Sequence, residues 1–128
     1  MIIFAVKPWL MEPVIKELEL KGTEILISVA AGIPFEELTH YVADKEMTMF
    51  RLIPNTAISE MESMTLIASR NATKEQEQLM LDIFNQMGLA MLIPEEKIAA
   101  TTAMTSCGIA YVLKYIQAAV SYTHLTLP

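Results

Sequence analysis

Short apolar runs alternate with amphipathic segments over the first 94 residues. Residues 2–6, 25–31, 48–53, 64–68 and 89–93 are largely apolar and rich in β-forming side chains. Continuous hydrophobicity over such short lengths predicts strands that are buried on both faces. The pattern therefore predicts an α/β fold with a mainly parallel sheet, covered by the helices that connect its strands.

The segments between these runs have helical spacing. Helices are predicted over Trp9–Leu20, with Gly22 as the stop, over Phe35–Val42, and over Thr73–Met87. The third is the clearest, because a threonine followed three positions later by Gln76 forms a capping box. Its predicted buried stripe consists of Leu79, Met80, Ile83, Phe84 and Met87.

The pattern changes after Pro94. A second unit, all-helical, is predicted over residues 95–120, and residues 1–94 form the first domain. Residues 121–128 switch to a β-like alternation, so the helix is expected to stop at Val120. This octapeptide resembles translated sequencing-adapter sequence and is expected to be a non-native tail. The apolar face of the last helix consists of Ile109, Val112, Leu113, Ile116 and Val120.

Charge and cysteine content narrow the function. The 128 residues carry a formal net charge of −6 without a Lys/Arg cluster, which argues against nucleic-acid and anionic-membrane partners. The longest uncharged run, residues 98–113, is too short for a transmembrane helix. Cys107 is the single cysteine, and we expect a buried, reduced side chain in a cytoplasmic protein.

Three predicted strand ends could hold a flat ligand. They are Val6-Lys7-Pro8, Ala30-Ala31-Gly32 and Ile53-Pro54-Asn55-Thr56. In open α/β sheets, ligands bind outside the carboxyl ends of the strands, and small residues there let a ligand approach the backbone. A G-x-G-x-x-G phosphate loop is absent from these 128 residues, whose glycines stand at 22, 32, 88 and 108.

The polar residues give little sign of catalysis. His40 and His124 lack a second ligand at metal spacing, so no metal site and no catalytic residue is predicted. Glu95 and Glu96 could form an acid pair, but adjacent acids after a proline are more often the first turn of a helix.

At its strand ends the chain resembles the pyrroline-5-carboxylate reductase family. The resemblance covers residues 1–120 and depends on five segments in the family's order. These segments are 2–8, 28–32, 51–56, 84–88 and 105–111. It implies a partial Rossmann-like doubly wound domain followed by the start of a helical dimerisation domain. The family's glycine loop would precede Met1, Ile109 stands where proline is common, and the family pattern stops near Val120.

The resemblance also implies an activity and a cofactor site. The family transfers a hydride from NADPH, or from NADH, to the C=N carbon of 1-pyrroline-5-carboxylate and forms L-proline. Val6, Lys7 and Pro8 would line the nicotinamide side of the cofactor, and Ala31 would approach the cofactor through its backbone. Asn55, in the family's Pro-Asn-Thr turn, would lie near the same pocket.

The resemblance also implies a substrate contact and, for the full-length protein, a homo-oligomer that is a dimer or higher. Glu95 aligns with an acidic position that contacts the proline carboxylate region, and Glu96 is the alternative if the alignment slips by one. Residues 105–111 would open the dimerisation helix.

Other functions stay open at this point. The chain could be a non-catalytic fragment of the fold, which the missing phosphate loop would favour. It could also belong to another NAD(P)-dependent enzyme, such as a β-hydroxyacid dehydrogenase, for which Lys114 is the one candidate for the catalytic lysine. A phosphoacceptor receiver-like domain would need aspartates clustered at strand ends, and Asp44 and Asp82 do not supply them.

Overall fold

Five strands form one sheet in the order in which they occur along the chain. The structure is a computed structural model that describes residues 1–43 and 46–125, with side chains up to Tyr122. The strands are β1 (Ile2–Phe4), β2 (Leu26–Ser28), β3 (Met49–Ile53), β4 (Ser63–Arg70) and β5 (Gly88–Leu92). The helices are α1 (Met11–Glu17), α2 (Phe35–Tyr41), α3 (Lys74–Phe84), α4 (Ile98–Thr105) and α5 (Gly108–Leu125).

The sheet is parallel except at one pair. β1, β2 and β3 run in the same direction, β4 is antiparallel to β3, and β5 is parallel to β4. The expectation that all the apolar runs lie parallel is therefore wrong for β4 relative to β3. The connection over residues 54–62 contains just a 3₁₀ turn, Thr56–Glu60, whereas a parallel return needs a crossover of about a dozen residues or more.

Helices cover both faces of the sheet, as the fold prediction requires. Buried side chains of α1, α2 and α4 lie in one apolar cluster, and those of α3 lie in the other. β3 separates the two clusters, and all five of its residues are buried. Met49 and Ile53 lie in the first cluster, and Phe50 and Leu52 in the second, as the alternation of side chains along a strand requires.

The capping box of α3 is present. The Thr73 side chain accepts a hydrogen bond from the Gln76 N–H, and the Gln76 side chain accepts one from the Thr73 N–H at 2.8 Å. These two bonds satisfy backbone donors that the first helical turn cannot pair internally, so the start of α3 follows directly from the sequence.

Three local predictions are wrong. α1 ends at Glu17 rather than near Gly22, and Glu19 takes a left-handed conformation with φ of 45°. Leu18 is exposed, so burial does not favour a further turn. Cys107 is exposed rather than buried, because it lies at the break between α4 and α5, outside both apolar clusters.

The last helix is the third case. α5 continues to Leu125 instead of stopping at Val120, because each added residue extends an existing helical ladder while the β-like alternation finds no partner strand in the described chain. Residues 126–128 of the expected tail lie outside the described residues, as does the side chain of His124. Among the described residues, no helix combines the length and apolar character needed to cross a membrane.

Candidate functional site

The carboxyl ends of β1, β2 and β3 lie at one edge of the sheet, because these three strands are parallel. Val6, Ala31 and Asn55 each follow one of these ends and are therefore brought to the same edge. The ends of β1 and β2 are tied together by the Val29 N–H, which donates to the Phe4 carbonyl at 3.2 Å. This edge is where an open α/β sheet binds its ligands.

Short-range bonds shape the backbone at this edge. The buried Ser28 hydroxyl accepts a hydrogen bond from the Ala30 N–H at 3.2 Å, which turns the chain toward Ala31. Gly32 has φ of 83°, and nothing lies within 4 Å of the position that a Cβ would take. The loop between β2 and α2 therefore presents bare backbone on an open surface.

Two pockets open on either side of this loop, and Ala31 and Gly32 line both. The first has a volume of about 340 Å³ and lies beside the start of α1. We call it the α1 pocket. Its remaining lining residues are Pro8, Trp9, Glu12, Ile33, Glu37 and Tyr41.

The second pocket, which we call the α4 pocket, also has a volume of about 340 Å³ and lies beside the start of α4. It is more apolar than the α1 pocket, with one buried cation and one carboxylate in its wall. Its remaining lining residues are Pro34, Arg51, Ile53, Glu95, Ile98, Ala99 and Thr102.

Arg51 and Glu95 form an ion pair in the wall of the α4 pocket. Nη1 of Arg51 donates to Oε1 of Glu95 at 2.6 Å, and the same oxygen accepts the Phe35 N–H at 2.7 Å. The Arg51 side chain is 8% exposed and that of Glu95 is 33% exposed. The guanidinium also lies 6.0 Å from the centroid of the Phe35 ring, within cation–π range. The pair thus joins β3, the start of α2 and the turn before α4.

The side chain of Asn55 makes two hydrogen bonds within the fold. Its Oδ1 accepts the Ala57 N–H at 3.1 Å, and its Nδ2 donates to the Thr105 carbonyl at 3.0 Å. Its own N–H donates to the buried Ser63 hydroxyl at 3.3 Å. Asn55 therefore caps the turn after β3 and anchors the end of α4, the helix that walls the α4 pocket.

Three of the predicted site residues line the two pockets, and three do not. Pro8 lines the α1 pocket, Ala31 lines both pockets, and Glu95 lines the α4 pocket. Val6 packs against the apolar core, and Lys7 is exposed, with its carbonyl accepting the Leu10 N–H at 2.9 Å. The lining of the two pockets includes neither Val6, Lys7 nor Asn55.

Glu96, the alternative to Glu95, is exposed and is not part of either pocket's lining. Arg51 and the α4 residues of the pocket were missed at the sequence level. A charged residue inside an otherwise apolar strand was the available signal for Arg51, since such a charge is buried only with a partner.

Tyr41, which lines the α1 pocket, has a raised pKa. A hydrogen bond to the Glu37 carboxylate raises the pKa of Tyr41 to about 12 from 10.0, with desolvation and the nearby Glu37 and Glu12 charges acting in the same direction. The raised pKa favours the neutral phenol, so the stabilisation from this bond is present below pH 10 and is lost as the pH rises toward 12.

We expect Glu37→Gln to lower the Tyr41 pKa, because the carboxylate that favours the protonated phenol is removed. The measurement is a ¹³C NMR titration of the tyrosine Cζ resonances. Glu36→Gln, on the same helix, is the control and should leave the Tyr41 midpoint in place. A midpoint that Glu37→Gln does not move would contradict the assigned hydrogen bond.

The fold and the two pockets define a class of protein. A mainly parallel sheet with helices on both faces, and with two pockets near the carboxyl ends of adjacent strands, is a Rossmann-like architecture. Among solved structures, a semialdehyde dehydrogenase NAD-binding protein from Cupriavidus necator shares this fold, with a TM-score of 0.61 at 12% identity.

More specific similarity comes from relatives of one kind. The chain is 35% identical over 121 residues to the pyrroline-5-carboxylate reductase of Methanosarcina acetivorans, covering 91% of the chain and 44% of that relative. It is 30% identical over 132 residues to pyrroline-5-carboxylate reductase 1 of Dictyostelium discoideum, covering 92% of the chain and 24% of that relative. No family model matches the chain.

Solved structures agree with these relatives. The pyrroline-5-carboxylate reductase of Coxiella burnetii matches with a TM-score of 0.86 at 26% identity, covering 98% of this chain and 48% of that one. The Plasmodium falciparum pyrroline carboxylate reductase, solved with NADP bound, matches with the same TM-score and identity, covering 98% and 52%. The chain belongs to the pyrroline-5-carboxylate reductase family. It spans less than half the length of the two curated relatives.

Proposed function

We propose that this chain forms the nicotinamide and substrate side of a pyrroline-5-carboxylate reductase site. The reaction passes a hydride from NADPH, or from NADH, to the C=N carbon of 1-pyrroline-5-carboxylate and gives L-proline. The observation that carries the proposal is that Ala31 and Gly32 line both pockets. Because both pockets open on the same loop, ligands in them can meet directly over Gly32, where no side chain stands between them, and hydride transfer needs such direct contact.

The proposed reaction does not require an acid–base pair among the residues that line the pockets. A protonated imine already accepts a hydride, so the protein has mainly to align the two rings and exclude water. The α1 pocket is the proposed nicotinamide pocket, next to Pro8 and Ala31. Its carboxylates, Glu12 and Glu37, disfavour a phosphate there, in keeping with the nicotinamide end of the cofactor.

The α4 pocket is the proposed substrate pocket. Glu95 supplies a carboxylate in its wall, and both hydrogen bonds that this carboxylate makes to described residues are on Oε1. Oε2 is then an acceptor for the protonated ring nitrogen of the substrate or the product. Val6 and Lys7 would act through the backbone of the loop that leads to Pro8, and Asn55 through its anchor on α4.

A titration with cofactor pieces tests the proposal. Backbone amide NMR shifts of the chain should move near Pro8, Ala31 and Gly32 on addition of reduced nicotinamide mononucleotide, and should not move on addition of 2′,5′-ADP. L-Proline should shift amides around the α4 pocket. Absence of both responses would refute the proposed function.

A larger side chain at a position that lines both pockets tests where the cofactor binds. We expect Ala31→Leu to weaken binding of reduced nicotinamide mononucleotide by about tenfold or more, because it adds three carbon atoms at a position that lines both pockets. Ala100→Leu makes the same change on an exposed position of α4 outside both pocket linings, and should leave binding unchanged. Equal affinities of the two variants would contradict the placement of the cofactor at Ala31.

The wider assignments are also proposals. The exposed apolar face of α5, with Ile109, Val112 and Ile116 each more than half exposed, supports a homo-oligomer, a dimer or higher, of the full-length protein. The domain division at residues 94–95 stays a prediction, and Ile98 of α4 packs in the apolar cluster of the first unit. The net charge of −6 supports the absence of nucleic-acid partners, and the single cysteine supports a cytoplasmic location. Lys114 donates to Gln117 on the same exposed helix, so nothing favours its use as the lysine of a β-hydroxyacid dehydrogenase.

A further inference from the structure

Arg51 is an unusual residue for its position. It lies in the middle of β3 between two fully buried apolar side chains, and the whole residue is 6% exposed. Burial of a guanidinium is costly unless it is paired. Its Nη1 is paired with Glu95, but its buried Nε has no hydrogen-bond partner among the described residues. The ion pair with Glu95 is therefore the contact on which the placement of this buried charge depends.

The partner of Arg51 is held by one oxygen. Oε1 of Glu95 accepts both the Arg51 guanidinium at 2.6 Å and the Phe35 N–H at 2.7 Å. No hydrogen bond to a described residue engages Oε2. The two bonds fix the rotation of the carboxylate, so they determine which oxygen is left for a ligand.

The same two bonds connect the elements that line the α4 pocket. Gly32 and Pro34 belong to the loop before α2, and Ile98 and Thr102 belong to α4. Glu95, in the turn before α4, is bonded both to the Phe35 N–H at the start of α2 and to Arg51 of β3. Loss of the guanidinium would release Glu95 and let α4 move relative to α2.

We propose that Arg51 is a positioning residue of the α4 pocket, which orients Glu95 through Oε1 and thereby presents Oε2 to the ring nitrogen of the ligand. This inference rests on the proposed function for the identity of the ligand. The orientation of Glu95 by Arg51 can be measured without any ligand.

The ligand-free test is hydrogen exchange of the Phe35 amide. In Arg51→Met and in Glu95→Gln this amide should exchange about tenfold faster or more, because its bond to a charged acceptor is weakened. Arg51→Lys should restore part of the protection, since it keeps the charge but not the planar fork. An unchanged rate for Phe35 in Arg51→Met would overturn the proposal whatever the ligand result.

The ligand test separates positioning from general damage. We expect Arg51→Met to weaken L-proline binding by roughly tenfold, with binding of reduced nicotinamide mononucleotide within about twofold of the original chain. Arg70→Met is the matched control, because Arg70 pairs with Met49 at the opposite edge of the sheet and should change neither affinity.

The possible results distinguish the two proposals. An original chain that binds neither ligand refutes the proposed function, and the exchange rate of Phe35 still decides the role of Arg51. An original chain that binds both ligands, with the same proline affinity in Arg51→Met, refutes the positioning role alone. Equal loss of both ligands in Arg51→Met also refutes it, since a merely structural role would produce that result.

Discussion

Replacement of Gly88 by alanine should cost at least about 3 kcal/mol of unfolding free energy, which is a large part of the stability of a domain of this size. Gly88 has φ of 133° and ψ of −139°, a region that is essentially restricted to glycine. A Cβ at this position would lie 2.2 Å from the carbonyl oxygen of Ser63 and 2.4 Å from its nitrogen. Both atoms are backbone of the paired strand β4, so rotation of a side chain cannot relieve the clash.

Urea denaturation followed by circular dichroism measures this effect. Gly32→Ala is the matched control, because Gly32 has a positive φ of 83° but open space where the Cβ would be. It should cost about 1–2 kcal/mol from backbone strain alone. Equal losses in the two variants would mean that Ser63 does not pack against Gly88 as closely as described.

The effect of Gly88→Ala should extend to the site. β5 leads directly to Glu95, and the Ile93 N–H that follows β5 donates to the Ile67 carbonyl at 2.8 Å. A displaced β5 would move Glu95 away from Arg51. Any Gly88→Ala protein that remains folded should therefore also show faster exchange of the Phe35 amide.

The sequence predicts the elements better than their directions. Continuous apolar runs located all five strands, and glycine or proline marked several of their ends. The direction of β4 was missed, although the short connection over residues 54–62 leaves no room for a crossover helix. Loop length therefore carried information that hydrophobic periodicity did not.

The site was harder to predict because it depends on residues far apart in the chain. The strand ends that carry Val6, Ala31 and Asn55 could be placed at one edge by the rule for parallel sheets alone. The bond from Arg51 to Glu95 spans 44 positions, and no local pattern indicates it. The contribution of Ile98 and Thr102 to the α4 pocket likewise depends on how α4 packs over the sheet.

The face of a helix could be predicted only in part. The helical stripe of α3 correctly identified Met80 and Phe84 as buried, but Leu79 in the same stripe is 47% exposed. Leu79 lies about 100° around the helix axis from Met80, so it points to the flank of the helix when Met80 and Phe84 face the sheet. The exposed Leu79 therefore offers a control for substitutions in the second apolar cluster.

Phe50→Ala should cost about 3–5 kcal/mol, because it removes a large side chain from a core that cannot fully collapse around the cavity. Phe50 is fully buried on β3 and lies in the cluster that contains Met80 and Phe84 of α3. Leu79→Ala removes an apolar side chain from the exposed side of the same helix and should cost less than about 1 kcal/mol. Urea unfolding of both variants measures the difference.

The same variant tests whether the two faces of the sheet are independent. Phe50 and Arg51 are consecutive on β3, so their side chains point to opposite faces. Under conditions in which Phe50→Ala is still folded, the Phe35 amide should keep its protection, because the Arg51–Glu95 pair lies on the other face. A loss of that protection in the folded variant would show that the α3 face supports the site, and that the pocket cannot be separated from the core behind it.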